Sequence, residues 1–503
     1  MGALCALGRR EENGGKTSVA SVSSQPTPLD SSAHRALKLW PSWRMTSTYL
    51  VSDMACLLLS FELSIAFRML LGAEIDILFY DDLLPLTGLL FGVAYWAAKL
   101  YPSIGFDPAE ELRRQSLATS GVFLVIAAST FMLRGGERYS RGVFLIAWLL
   151  ALVIAPFGRA LARAVYSKRE WWGIHAVVLG AGKTGLNIVE RLRRQPGFGL
   201  RPVAALDDDP AKHGDLAGIP VLGELSLGPA LVKEYGILYA IVAMPNVQCD
   251  RLLALLEKHA KTFRHLVVVP DLFGFCTMRV PSRDLGGVLA LELNQQLLMP
   301  SARAIKRFMD LAGVLLGGVL VAPVIALFAL SIKLDSRGPV FYGHTRIGSG
   351  GRKFKAWKFR SMFQDADARL HEYLSKHPEL REEWERHFKL KNDPRVTRVG
   401  RFLRRTSLDE LPQLWNVLVG QMSLVGPRPI VEEEVPRYAD CFDLYQKVTP
   451  GMSGLWQVSG RTNTTYAERV ALDTYYVRNW SPWLDAYILA RTVKVVVAGK
   501  GAY

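Results

Sequence analysis

Four apolar stretches follow one another in the first third of the chain, at 48–72, 80–101, 116–134 and 142–166. Each is close to the ~20 residues that a helix needs to cross a bilayer. Such a series keeps its backbone hydrogen-bonded either as a helical bundle in lipid or as a buried helical domain in water. The flanking charges favour lipid. The connection after the first run is acidic, with Glu74, Asp76, Asp81 and Asp82, whereas the fourth run leads into Arg159, Arg163, Lys168 and Arg169, the mark of a cytoplasmic end. Arg134, Arg138 and Arg141 run against that rule, offset by Glu137. Four spans return the chain to its starting side. Residues 1–45 have neither periodicity nor a signal-peptide core and read as a disordered cytoplasmic tail, held inside by Arg9, Arg10, Lys16, Arg35, Lys38 and Arg44.

The 503 residues carry 61 Lys and Arg against 46 Asp and Glu, a formal charge of +15. Residues 301–503 hold 31 of the basic and 20 of the acidic groups, so +11 of the excess lies there and anionic partners are expected. In the run from Arg352 to Arg360, cations interleave with Phe354, Trp357 and Phe359, a pattern suited to anionic lipid headgroups. Nucleic acid favours the same composition, but membrane runs without a nucleic-acid motif point away from it. Cys5, Cys56, Cys249, Cys276 and Cys441 are far apart and form no CxxC pair, so neither a disulfide framework nor a zinc site is indicated.

After the fourth run, His175 to Leu179 reads as a short strand leading into Gly180-Ala181-Gly182-Lys183-Thr184-Gly185 and a helical run from Leu186 to Arg194. The spacing is that of a dinucleotide-binding turn, in which glycines let the backbone approach a pyrophosphate at a helix N-terminus. A second strand, Pro202 to Leu206, ends at Asp207, where an acid can bond a ribose hydroxyl. Tyr239 to Met244 and His265 to Val269 extend a parallel sheet. The glycines also serve simply to pack a helix on a strand, so nucleotide binding through Gly180, Gly182, Gly185 and Asp207 and a purely structural turn both remain open.

Leu311 to Ile332 is a further uncharged run, 22 residues long. Length predicts a spanning helix. Charge argues against a crossing, because Arg303, Lys306 and Arg307 precede the run, Lys333 and Arg337 follow it, and a strongly basic domain lies beyond. Pro323, at its midpoint, removes a helical N–H and clashes with the preceding turn, which suits a re-entrant hairpin.

Five arginines, Arg395, Arg398, Arg401, Arg404 and Arg405, lead into Asp409-Glu410. Arginine's planar fork matches phosphate oxygens, and adjacent carboxylates can divide nucleophilic attack from metal binding. Ser407-Leu408-Asp409-Glu410 is equally a capping box that starts a helix near Pro412. The two roles are compatible, since a helix N-terminus favours an ionised carboxylate.

At Lys355 to Met362, Arg404 to Leu414 and Met422 to Pro429 the sequence resembles the bacterial sugar transferase domain of the monotopic phosphoglycosyl transferases. The likeness continues through Pro450 to Arg461 and on to Gly501-Ala502-Tyr503. The upstream bundle and Rossmann-like segment are similar to those of the large polyprenyl-phosphate hexose-1-phosphate transferases. This resemblance implies that a UDP-hexose, with galactose foremost, gives its sugar 1-phosphate to undecaprenyl phosphate, releasing UMP and starting a surface polysaccharide. The reaction would run on the cytoplasmic face of the bacterial inner membrane, with Mg²⁺ as cofactor and a homodimer as the expected assembly. By position, Asp409 would be the nucleophile that forms a covalent phospho-sugar aspartate, Glu410 the Mg²⁺ ligand, and Arg404 and Arg428 phosphate contacts. Lys306, Arg307, Asp310 and Pro323 would build the membrane hairpin, and Gly454, Gln457 and Arg461 are donor-pocket candidates or structural turn residues. Gln421 stands where the family usually has an acid, and Ala322 where smaller relatives often carry Ser.

The expected architecture is therefore a cytoplasmic tail (1–45), a four-helix transmembrane bundle (46–168), an α/β Rossmann-like domain (169–295) and an α-rich transferase domain (296–503) with a re-entrant hairpin at about 306–335. Two other readings compete. One is a nucleotide-sensing membrane scaffold, which binds without turnover. The other is an NAD(P)-dependent membrane oxidoreductase, for which no catalytic constellation stands out.

Overall fold

The computed structural model describes residues 43–132, 140–245, 247, 252, 254, 255, 257, 259, 261–269, 282–284, 289–291, 296–377, 393–459 and 465–498. Residues 1–42 of the expected tail fall outside these residues, and its last three, Trp43, Arg44 and Met45, instead open the first helix. The chain forms two compact units, 1–273 and 274–503.

In the first unit, α1 (Trp43–Leu70), α2 (Ile77–Ala97), α3 (Pro108–Met132) and α4 (Arg141–Tyr166) correspond to the four apolar runs. Much of the bundle is apolar both inside and on its outer surface, as in helices that face lipid. Leu57, Phe61, Phe91, Val122, Phe123 and Ala151 fill its interior, while Leu58, Leu89, Leu124 and Val153 are exposed. Gly158 lets α4 approach α1, since a Cβ there would sit 2.3 Å from Cys56 Sγ. By length and composition α1 and α4 can cross a membrane. The apolar part of α2, Leu83–Ala97, is shorter, and α3 opens with Glu110, Glu111, Arg113 and Arg114.

The cationic end of α4 is not a simple topological signal. Arg159 is buried and bonds Asp53 through Nε (2.9 Å) and Nη2 (2.7 Å) and Glu111 through Nη1 (3.1 Å), while Arg163 pairs with the other oxygen of Glu111. Tyr101 donates to Asp53 at 2.6 Å and Ser103 to Glu111 at 3.0 Å. Two cations thus meet two anions inside the bundle, the arrangement that makes buried charge tolerable.

The expected Rossmann-like segment folds around β1 (Ile174–Leu179), α5 (Lys183–Arg194), β2 (Leu200–Leu206), β3 (Gly214–Leu216), β4 (Ile219–Val221), α6 (Gly228–Tyr235), β5 (Tyr239–Val242) and β6 (His265–Val268). The strand order is β3-β4-β2-β1-β5-β6, parallel except for β3. Alternation along the strands builds two cores. Val177, Leu179, Leu206 and Val242 pack on one face, and Val178, Ala205 and Val189 on the other. The order of strand addition reverses at β1, with β2 on one side and β5 on the other, so the crevice at its carboxyl end is the topological switch point, and the glycine turn lies there.

The second unit includes a short hairpin, β7 (Ser282–Asp284) and β8 (Leu289–Leu291), and α7 (Pro300–Asp335). Helix α7 is one 36-residue element with Pro323 inside it, where the sequence suggested a hairpin of two arms. Its ends are both anchored in the same unit. Lys306 Nζ bonds Asp485 Oδ2 at 2.7 Å, Asp310 accepts from the Leu424 N–H at 3.0 Å, and Arg307 donates to the Val417 and Leu418 carbonyls. At the other end Asp335 accepts from the Val399 N–H, and Ile332 packs with Phe359 and Leu403. The stretch between exposes Leu315, Leu316, Val319, Leu320 and Leu327.

The remainder comprises β9 (Phe341–Ile347) paired antiparallel with β10 (Lys353–Phe359), α8 (Ala366–Lys376), α9 (Arg398–Thr406), α10 (Gln413–Leu418), β11 (Ser423–Val425) paired parallel with β12 (Gly451–Ser453), α11 (Leu455–Ser459), α12 (Tyr466–Asn479) and α13 (Pro482–Ala498). Phe354 and Phe359 are buried, so these rings of the expected lipid-facing stripe instead form core, and the strand's cations divide between solvent and the site described next.

Candidate active site

Helix α9 begins at Thr397, whose hydroxyl accepts from the Gly400 N–H at 2.9 Å. Gly400 is required by close approach, because a Cβ there would lie 2.1 Å from the Ser361 carbonyl oxygen. That contact sets Arg404 beside Ser361, with Nε donating to Oγ at 2.8 Å. Arg398, Arg401 and Arg405 are exposed, and Arg395 pairs with Asp393 at 2.7 Å. One of the five arginines therefore turns toward the carboxylates.

Helix α9 ends at Ser407, which adopts a left-handed φ of 57°. A non-glycine residue there carries local backbone strain. The reversal throws Leu408–Glu410 into a single tight turn. The expected capping box does not form. Ser407 makes no side-chain cap and closes α9 instead, while the next helix starts at Gln413 behind Pro412. Ser407 is spent on reversing the chain, so Asp409 and Glu410 stand on a turn of their own.

Lys358 on β10 completes the group. Its Nζ lies 2.7 Å from Glu410 Oε1 and 3.9 Å from Asp409 Oδ2. Asn416, fully buried on α10, holds the strand in place: its Oδ1 accepts from the Trp357 N–H at 3.0 Å and its Nδ2 donates to the Lys355 carbonyl at 2.8 Å. Burial pushes the Asp409 carboxyl up, and Lys358 and Arg404 oppose that shift while Glu410 adds to it. Burial also lowers Arg404, against the pull of Asp409 and Asp393. Sequence reasoning missed Lys358 because it was read as one cation of a lipid-facing stripe. Lys353 and Lys355 on the same strand are exposed while Lys358 is half-buried, which separates it from those two cations.

A cavity of about 160 Å³ opens beside the turn, lined by Ser407, Glu410, Met452, Ser453, Gln457 and Thr492 among others. Gln457 thus lines the cavity, and its Oε1 is buried without a hydrogen-bond partner among the described residues. Gly454 has a packing reason, since its Cβ would meet the Gly426 carbonyl at 2.6 Å. Arg428 stands in a second basic cluster, its guanidinium 5.6 Å from the Trp456 ring centre, with Arg346 and Asp473 among its electrostatic neighbours. Arg461 lies outside the described residues. Lys306, Arg307, Asp310 and Pro323 belong to α7 and do not line this cavity.

The donor set suits Mg²⁺, which takes one or two carboxylates and completes its shell with water and phosphate oxygens. Glu410 would supply one such carboxylate, and its Oε1 also lies 2.7 Å from Lys358 Nζ. Among the described residues no group of three or more His, Cys, Asp or Glu side chains comes together, so substrate oxygens would make up the remainder.

At the glycine turn of the first unit, Gly180 has a φ of 107° and Gly185 packs so tightly that a Cβ would sit 2.1 Å from the Gly180 carbonyl. Among the described residues nothing lies within 4 Å of a Cβ built on Gly182. Asp207 accepts from the Ala181 N–H at 2.7 Å and the Asp209 N–H at 3.0 Å and pairs with Lys212. The outer glycines and Asp207 therefore hold the turn, and the room over Gly182 is what a phosphate would use.

Residues 301–499 match the bacterial sugar transferase family and residues 100–270 a CoA-binding domain. The UDP-galactose-lipid carrier transferase of Erwinia amylovora is 39% identical over 76% of this chain and 80% of its own length. The undecaprenyl-phosphate galactose phosphotransferase of Salmonella typhimurium is 38% identical over 73% and 77%. The UDP-glucose:undecaprenyl-phosphate glucose-1-phosphate transferase of Xanthomonas campestris pv. campestris is 32% identical over 87% and 91%.

Proposed function

We propose that this chain, which belongs to the bacterial sugar transferase family, is the transferase that loads a hexose 1-phosphate, galactose 1-phosphate foremost, from a UDP-hexose onto undecaprenyl phosphate. The family supports lipid-carrier phosphosugar transfer at the start of polysaccharide synthesis. The observation that carries the finer reading is the Asp409-Glu410 turn, with Lys358 at 2.7 Å from Glu410 and Arg404 among the charges acting on Asp409.

In this reading an Asp409 oxygen attacks the sugar-bearing phosphorus of the UDP-hexose. The bond from that phosphorus to the bridging oxygen breaks, UMP leaves with the electron pair, and a phospho-sugar aspartate remains. An oxygen of undecaprenyl phosphate then attacks the same phosphorus, the bond to Asp409 breaks, and the carboxylate is regenerated. Lys358 opposes the upward push of burial on the Asp409 carboxyl, and Arg404 would offer donors to phosphate oxygens. Mg²⁺, held by Glu410, would neutralise diphosphate charge. Gln457, on the cavity wall beside the turn, would accept from a donor hydroxyl or imide.

Helix α7 supports the re-entrant reading, because both of its ends bind one folded unit while its middle is apolar and exposed. A dip into the cytoplasmic leaflet of the inner membrane would keep the carboxylates at the interface, where soluble donor and lipid acceptor meet. The turn at 180–185 would take a nucleotide-type ligand in the same homodimeric enzyme.

The test is UMP release by nanodisc-held protein with undecaprenyl phosphate, Mg²⁺ and, separately, UDP-galactose, UDP-glucose and their N-acetylated forms. A lipid-dependent signal strongest with UDP-galactose is expected. Asp409→Asn should abolish both UMP release and the phospho-sugar adduct, and turnover in that variant would refute the nucleophile assignment. Glu410→Gln should weaken the Mg²⁺ dependence.

A further inference from the structure

The bundle carries a groove that the transfer reaction does not use. It runs between α2 and α3, has a volume of about 650 Å³, and is lined by Leu90, Val93, Ala94, Leu117, Gly121 and Val125 with Arg113 and Arg114 at one end. On each helix the lining residues recur three and four positions apart, so each contributes one stripe and the two stripes make a single trough. Its walls are aliphatic, and among the described residues a Cβ on Gly121 would have nothing within 4 Å. From Arg114 to Val125 the trough runs ~16 Å at the helical rise, about half of a ~30 Å hydrocarbon core. It therefore matches the depth of one leaflet.

The charged end is preorganised. Glu110 accepts from the Nε of Arg113 at 3.1 Å and of Arg114 at 2.9 Å, and Arg114 also donates Nη1 to the Ala98 carbonyl at 2.9 Å. The Arg114 guanidinium lies 4.2 Å from the Phe106 ring centre. Both guanidinium groups thus stand at the mouth, with Glu110 between them and Asp107 within electrostatic reach of Glu110. This end lies toward Glu111, Arg159 and Arg163, at the side expected to be cytoplasmic.

We propose that this groove is a second, non-catalytic binding site for undecaprenyl phosphate, with the phosphate at Arg113 and Arg114 and the isoprenoid chain in the trough. The inference rests on the acceptor assigned under the proposed function. An apolar trough one leaflet deep takes an isoprenoid chain, and a terminal phosphate complements the guanidinium groups of Arg113 and Arg114 at its end. A store of acceptor on the bundle would keep it near the enzyme without occupying the catalytic cavity.

The experiment uses the full chain in nanodiscs without any UDP-sugar. A photoreactive undecaprenyl phosphate, with a diazirine in its isoprenoid chain, is cross-linked and the labelled peptides are mapped. Label is expected within 90–98 and 117–125. Unlabelled undecaprenyl phosphate should suppress it, and equal phosphatidylglycerol should not. Gly121→Trp should remove this label by filling the trough, and a combined Arg113→Gln, Arg114→Gln variant should lower it about tenfold or more. Absence of label from both segments, equal protection by phosphatidylglycerol, or cross-links from these helices to a second copy would each overturn the proposal. Turnover is measured on the same samples. Intact turnover with no groove label sinks this site alone, whereas no turnover with any donor sinks the transfer reading.

Discussion

Replacing Lys358 by Met is the sharpest probe of the site. Its ammonium lies 3.9 Å from Asp409 Oδ2. A unit charge pair at that distance is worth about 1 kcal/mol in water and about 4 kcal/mol at the effective dielectric of a protein surface. Lys358 is about a quarter exposed and shares its charge with Glu410, so the lower part of that range applies. Burial already pushes Asp409 up, and Lys358 is the largest opposing influence. An acid with a raised pKa is ionised only above that pKa, so activity should fall as pH drops through it. Without Lys358 the fall should begin at higher pH. In mildly acidic buffer the rate of phospho-adduct formation should drop about tenfold, and it should recover largely as pH rises. Rapid-quench measurement of the adduct across pH reads this directly. Lys355→Met, an exposed cation on the same strand, is the control. An acid limb unmoved by Lys358→Met, or moved equally by the control, would refute the electrostatic role.

Further outcomes follow from the packing. Gly185→Ala forces a Cβ onto the Gly180 carbonyl and should destabilise the first unit by about 2 kcal/mol or more, whereas Gly182→Ala should leave the melting temperature unchanged while weakening any nucleotide seen by calorimetric titration. Lys306→Met leaves Asp485 buried and short of its cation, with an expected loss of about 3–5 kcal/mol read by chemical denaturation of the nanodisc-held protein. Asp473 has its carboxyl pushed up to about 7 by burial, against the hydrogen bond from Tyr438 and the charge of Arg469. The folded state therefore holds its proton more tightly than the unfolded chain. Its contribution to stability is complete below the ordinary carboxylate range near pH 4 and is lost as pH rises toward 7. Asp473→Asn should flatten that part of the stability profile, which melting curves across pH will show.

Much of the architecture was legible in the sequence because it rests on local regularities. Apolar run lengths announced α1 to α4 and α7, alternation and glycine spacing announced β1, α5 and β2, and the Asp409-Glu410 motif marked the candidate site. These signals are local because a helix or strand repeats every few residues. What only the tertiary structure decided depends on groups far apart in the chain. Lys358 reaches Glu410 across 52 positions because Asn416 clamps β10 beside the turn. Arg159 looked like a cytoplasmic flag and is instead neutralised by Asp53, 106 positions away. Ser407 looked like a helix start and is a helix end, because the preceding arginine-rich segment is itself helical and needs a reversal there. Both ends of α7 return to one unit through Asp485 and Val399, contacts that no hydropathy window contains. Sequence periodicity specifies which face of an element is apolar, while the partner of a buried charge is chosen by which elements pack together.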